Sequence, residues 1–129
     1  MSPTFFAPQL FIPGGVNNID FYGKAFGAVI LRSFMNDDGS IHVAELSING
    51  ALFHIHESSA ETGKKDPIHA MGTTVLVGLF VPDTDSVMNN AVAAGGIVIS
   101  PAQDYFYGYR QGEIKDPFGH HWLIQQRIG

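Results

Sequence analysis

The spacing of apolar and polar positions changes period in the same order twice along the chain. Residues 7–12 form a short apolar run stopped by Pro13-Gly14-Gly15, which reads as a strand. Over 16–26, Val16, Ile19, Phe21-Tyr22 and Phe26 recur near helical spacing, and Gly27 sits where a left-handed helix cap is wanted. Strands follow near 28–35, 41–48 and 51–57, joined by the turn signals Asp37-Asp38-Gly39 and Asn49-Gly50. The cycle then restarts with a strand at 74–81 and a helix at about 83–94, with Asp83 as N-cap and Gly95-Gly96 ending it. Strands near 97–100, 106–115 and 120–127 complete it, the last turn being Asp116-Pro117-Phe118-Gly119. Residues 58–72 are polar and irregular and link the halves.

The two cycles align at an offset of 69. Leu10-Phe11-Ile12-Pro13 stands over Leu79-Phe80-Val81-Pro82, Gly27 over Gly96, Val29-Ile30 over Val98-Ile99, and Gly50 over Gly119. Without a gap this gives ten identities in the 54 pairs from Ala7/Leu76 to Ala60/Gly129, several at Gly and Pro, which report backbone shape. The reading is a duplicated β-α-β-β-β unit within one α+β domain spanning 1–129. Module one covers about 6–58, a linker 59–71, and module two about 72–128.

A two-residue hairpin at Asn49-Gly50 pairs Ile48 with Ala51, so Glu45 lies opposite His54 and Val43 opposite His56. Side chains alternate along strands, so Leu52, His54 and His56 share a face with Glu45. Phe53, Ile55, Ala44 and Leu46 take the other face, the natural seat for the helix. Glu45 beside His54 can orient a proton or supply two metal ligands; it can equally be a cross-strand polar pair worth well under ~1 kcal/mol. The same logic in module two pairs Ile114 with Leu123 and Gly112 with Gln125, placing Arg110 on the inner face. There Arg110 suits a ligand carboxylate or phosphate, or else makes a surface salt bridge. His121 lines the inner face and His120 is structural, while Trp122 packs on the second helix. Tyr105, Phe106, Tyr107 and Tyr109 offer aromatic surface at the mouth of the concavity.

Composition narrows the function classes. Apolar residues at 45%, with ten Phe, four Tyr and one Trp, supply a real core. The net charge is −5 with no basic stripe, which argues against nucleic acid. There is no cysteine, so any metal must be held by His, Asp or Glu. No stretch reaches the roughly 18 apolar residues of a membrane span, and the cytoplasm is the expected location.

The repeat, the helix end Ile19-Asp20-Phe21-Tyr22-x-x-Ala25-Phe26-Gly27-Ala28 and the closing run Gly108-Tyr109-Arg110-x-Gly112-x-x-x-Asp116-Pro117-Phe118-Gly119-His120-x-Trp122 resemble the glyoxalase/bleomycin-resistance (vicinal oxygen chelate) superfamily, and more narrowly its PhnB-like branch. The resemblance implies eight strands in mixed sheets curled around a cup. It also implies, in the enzymatic members, a divalent metal held from the first and last strands of each module. Carried over, those positions fall near Ala7, His54, Leu76 and Leu123, three of which have no ligating side chain; Gln9 faces the same way as Ala7. The PhnB-like branch often has His directly before its Ala-Glu; here that place is Val43.

Two functions follow as expectations. In the first, a homodimer without a cofactor binds a small molecule in apolar cups through Gln9, Glu45, His54, His56, Tyr109, Arg110 and His121. In the second, Glu45 and His54 hold a divalent metal or act as an acid/base couple in a lyase, isomerase or dioxygenase-type enzyme. No nucleic acid or membrane partner is expected.

Overall fold

A computed structural model describes residues 2–129. The elements are β1 (Gln9–Ile12), α1 (Asp20–Phe26), β2 (Val29–Met35), β3 (Ile41–Ile48), β4 (Ala51–Glu57), α2 (Pro67–Ala70), β5 (Leu76–Phe80), α3 (Thr84–Ala93), β6 (Ile97–Tyr105), β7 (Tyr109–Lys115) and β8 (His121–Arg127). The eight strands form two four-stranded sheets of matching order, β1-β4-β3-β2 and β5-β8-β7-β6. In each, the first strand pairs in parallel with the last after a helical crossover, and the other pairs are antiparallel. The sequence therefore repeats as structure, in an α+β arrangement of two β-α-β-β-β modules.

Local chemistry explains where the elements start and stop. Gly27 ends α1 in the left-handed region at φ 71°, and the Asp83 side chain caps α3 by accepting from the Ser86 N–H. The first helix begins at Asp20, later than its apolar spacing predicts. The Val16 carbonyl is taken by the Ile41 N–H of β3, and Asn18 Oδ1 accepts from the Asp20 N–H, so the preceding turn is tied to the sheet. β6 runs on to Tyr105, past Pro101, by way of two register shifts, and β7 starts only at Tyr109. Between them Gly108, at φ 88°, closes a turn onto the Tyr105 carbonyl. The linker holds the single-turn α2, capped by the buried Asp66.

The helix-side faces of both sheets merge into one core. Leu10, Ile12, Leu46, Phe53 and Ile55 of module one meet Ile114, Trp122 and Ile124 of module two around α1 and α3. Trp122 faces the helix layer, as its alternation requires. It packs against module one, with ring centroids 4.7 Å from Phe26, 5.6 Å from Phe53 and 5.9 Å from Tyr22, where the second helix was expected.

Asp116 ties the modules together. Its Oδ1 accepts from the Phe118 and His120 N–H groups at 2.9 and 3.0 Å, and its Oδ2 from the Tyr22 hydroxyl and the Trp122 indole N–H at 2.6 and 3.0 Å. Four donors satisfy a carboxylate that is 2% exposed. Burial first, and then the Asp116 charge, push the Tyr22 hydroxyl well above the usual phenol range.

Candidate functional site

Each sheet presents its second face away from the common core, and these two faces carry the candidate chemistry. On the first, the Asn49-Gly50 turn sets the register: Ile48 pairs with Ala51, Glu45 with His54 and Val43 with His56. Both turn residues have positive φ, 50° and 94°, as a two-residue hairpin of the favoured hand requires. The adjoining strands extend each row. Gln9, His54, Glu45 and Arg32 lie side by side, and next to them Phe11, His56, Val43 and Phe34.

Contacts within these rows differ in strength. Arg32 Nε donates to Glu45 Oε2 at 2.9 Å, whereas His54 Nε2 is 3.8 Å from Glu45 Oε1. The carboxylate is thus held by an arginine that the sequence reasoning did not single out. Gln9 Oε1 accepts from His56 Nε2 at 2.6 Å, and the Phe11 ring stacks on His56. Partial burial, followed by the charges of His54 and His42, holds the His56 imidazole below its ordinary value. The structure brings Gln9, Glu45, His54 and His56 together on one face.

The second face departs from the expected register. Ile114 pairs with Trp122 and Gly112 with Ile124, one residue away from the pairing anticipated from module one. The cause is the last hairpin. Gly119 N–H donates to the Asp116 carbonyl and Asp116 N–H to the His120 carbonyl, leaving a three-residue loop Pro117-Phe118-Gly119 with Gly119 at φ 93°. The loop is one residue longer than its counterpart, and a one-residue slip turns every β7 side chain over.

Arg110 consequently points to the helix side. It donates from Nε and Nη2 to Asp85 of α3 and from Nη1 to Asp104 of β6, at 2.9 Å each, and its anion-binding place on the inner face is corrected to a strand–helix ion pair. Those bonds hold Asp85 below the usual carboxylate range. The inner face instead receives Tyr109, Gln111 and Glu113 from β7, facing His121, Leu123 and Gln125 of β8 and Leu76, Gly78 and Phe80 of β5. Gln111 and Glu113 were missed because the slip hid them, and the signal was the extra loop residue after Asp116; Gln125 was already on the inner face but was not singled out.

Glu113 is the structural counterpart of Glu45, since each pairs with the residues that the repeat matches, Leu123 and His54. Its Oε2 is 2.7 Å from His121 Nδ1. Further along, the nearly buried Gln111 and Gln125 bond to each other at 2.7 Å, and the Tyr107 hydroxyl donates to Gln111. Beside them Phe80, Tyr109, Tyr107 and Tyr105 form a continuous run of ring contacts with centroids 5.5–5.6 Å apart, and the Arg127 guanidinium lies over Phe80.

A concavity of about 610 Å³ lies between the edges of β1 and β5 and includes Gln9, Phe11, Leu76 and Gly78 of the two inner faces. A second, about 430 Å³, is lined by Glu113 and His121 beneath residues 72–76.

Of the four positions that the resemblance assigns to metal ligands, only His54 carries a ligating side chain. Gln9 stands opposite His54 and Gly78 opposite Leu123, while Ala7 precedes β1. His54 and Glu45 are two donors where transition-metal sites recruit three or four, and Glu45 is engaged by Arg32. Among the described residues no group of three or more His, Asp or Glu side chains is gathered that could hold an ion. No helix of the described residues is long and apolar enough to cross a membrane.

The family model for the glyoxalase/bleomycin resistance protein/dioxygenase superfamily matches residues 13–124. An uncharacterized protein of Mycobacterium bovis is 36% identical over 125 residues, covering 95% of this chain and 82% of that one. Among solved structures, a protein of Pseudomonas aeruginosa superposes with a TM-score of 0.74 at 17% identity, covering 98% of this chain and all of that one. A genomically encoded fosfomycin resistance protein of Listeria monocytogenes superposes with a TM-score of 0.68 at 15% identity, covering 98% and 94%. Doubled modules of matching strand order and a family match across nearly the whole chain lead to one conclusion: this protein belongs to the glyoxalase/bleomycin resistance protein/dioxygenase superfamily.

Proposed function

We propose that the protein binds a small planar molecule against its inner sheet faces without a metal, and does so as a homodimer. The observation that carries this reading is the second inner face, where linked aromatic rings adjoin a bonded pair of nearly buried glutamines. Rings hold a flat apolar ligand at low entropic cost, and two amides with spare donors and acceptors orient its polar edge. The closing run from Gly108 to Trp122 supports placing the protein in the PhnB-like branch.

The edge strands support the dimer. On β2, Val29, Ile30, Leu31, Phe34 and Met35 are about half exposed, and so are Ile97, Val98 and Ile99 on β6. Two apolar sheet edges of this kind are pairing surfaces, and a second copy carries both.

The test is a screen of planar heteroaromatic compounds by thermal shift, followed by titration calorimetry. Tyr109→Ala should weaken the best binder about tenfold, from lost ring contact. A chelator should leave its affinity unchanged. Binding abolished by the chelator and restored by one metal would overturn the metal-free reading.

A further inference from the structure

We propose that Glu113 and His121 form a proton-accepting site for a small weakly acidic ligand, a phenol or an enol, in the cavity beneath residues 72–76. The site lies at the other end of β8 from the aromatic rings, and the proposal needs neither those rings nor a dimer.

Glu113 Oε2 lies 2.7 Å from His121 Nδ1, so that nitrogen donates to the carboxylate, and in the neutral ring the lone pair is on Nε2. No protein group hydrogen-bonds to Nε2 among the described residues. The two side chains are 28% and 23% exposed, partly covered yet reachable, and both line a shallow, open groove of about 430 Å³. Lys115 stands directly across from His121 in register and makes no ion pair among the described residues. Besides His121 the groove is lined by Glu113, Leu76, Val75, two threonines and Gly72, so Glu113 is the charged group lining it beside the imidazole, with Lys115 across from His121 in register.

The remaining histidines lack this combination. His56 Nε2 is taken by Gln9 and His120 Nε2 by the Phe11 carbonyl. His54 is 3.8 Å from a carboxylate that Arg32 already holds. His42 and His69 have close carboxylates but are 59% and 69% exposed.

The step is a single proton transfer. The ligand's O–H proton moves to Nε2 and the O–H electron pair stays on the ligand oxygen. The resulting imidazolium is held between Glu113 and the ligand anion.

4-Nitrophenol tests this directly, because its anion absorbs visible light and its neutral form does not. At a pH below the probe's own titration, adding wild-type protein should raise the anion band saturably. His121→Gln should lose the band and Glu113→Gln should weaken binding about tenfold, with circular dichroism melting confirming that both fold. His42→Ala should behave as wild type. 4-Nitroanisole, the same shape without the proton, should bind at least about tenfold more weakly. An undiminished band in His121→Gln, equal binding of the two probes, or no binding of 4-nitrophenol at saturating protein would each overturn the proposal. Because both probes are planar, each titration is repeated in Tyr109→Ala: the anion band should persist there, and its loss in Tyr109→Ala but not in His121→Gln would overturn the assignment to His121.

Discussion

At the scale of single residues, Asp116 concentrates more consequence than any group on the inner faces. Its four bonds satisfy two loop amides, a phenol and an indole at once. Asp116→Asn turns one acceptor oxygen into a donor that faces other donors. We expect it to lower unfolding free energy by about 3 kcal/mol in urea titrations; a change under about 0.5 kcal/mol would mean that the hub is dispensable. His56 gives a pH-dependent expectation. Because its folded value is depressed, the unfolded chain takes up the proton first as pH falls. This contribution to stability is intact above about pH 6.5 and declines below it. His56→Gln should therefore lose less melting temperature than wild type between about pH 7.5 and 5. The Glu45–His54 juxtaposition was legible in the sequence because a two-residue Asn-Gly hairpin permits one register. Its strength was not: Arg32 reaches Glu45 from β2, whose pairing with β3 shifts by one residue between Ile30 and Arg32.

Elements were legible wherever a cap or turn residue marked them, as Gly27, Asp83 and Asn49-Gly50 do. They were misread where the backbone bent without a strong local signal. β6 passes Pro101 through irregular pairing, and the last hairpin carries one residue more than the first. That residue moved Arg110 from the inner face to α3. Arg110→Ala should accordingly leave ligand affinity unchanged and cost only a small drop in melting temperature, as exposed ion pairs do; a large loss of affinity would return Arg110 to the site. Gly119 is constrained twice over. Its φ of 93° suits glycine, and an added Cβ would sit 2.9 Å from Pro67 Cβ of the linker helix. Gly119→Ala should destabilise the fold by about 2 kcal/mol in chemical denaturation.

For the molecule as a whole, the doubled plan was readable from the repeat, since Gly and Pro matches report backbone shape; the merging of the two helix-side faces into one core was not, because the pattern does not say which module packs on which. What the exposed sheet edges meet was not, because a sequence pattern marks a strand as apolar without naming its neighbour. If β2 and β6 join copies of the chain, Leu31→Lys combined with Ile99→Lys should give a folded monomer by light scattering. An unchanged dimer would place the interface elsewhere.

The extra residue in the last hairpin has a consequence for anything held between the inner faces. It leaves the two halves of the repeat chemically unlike: the first wall carries Gln9, an arginine held by its carboxylate and two imidazoles, the second a bonded pair of amides, phenol rings and the Glu113–His121 pair. A guest touching both would meet different partners at each end and could lie in only one direction, so one extra loop position turns a repeated plan into a receptacle with a head and a tail.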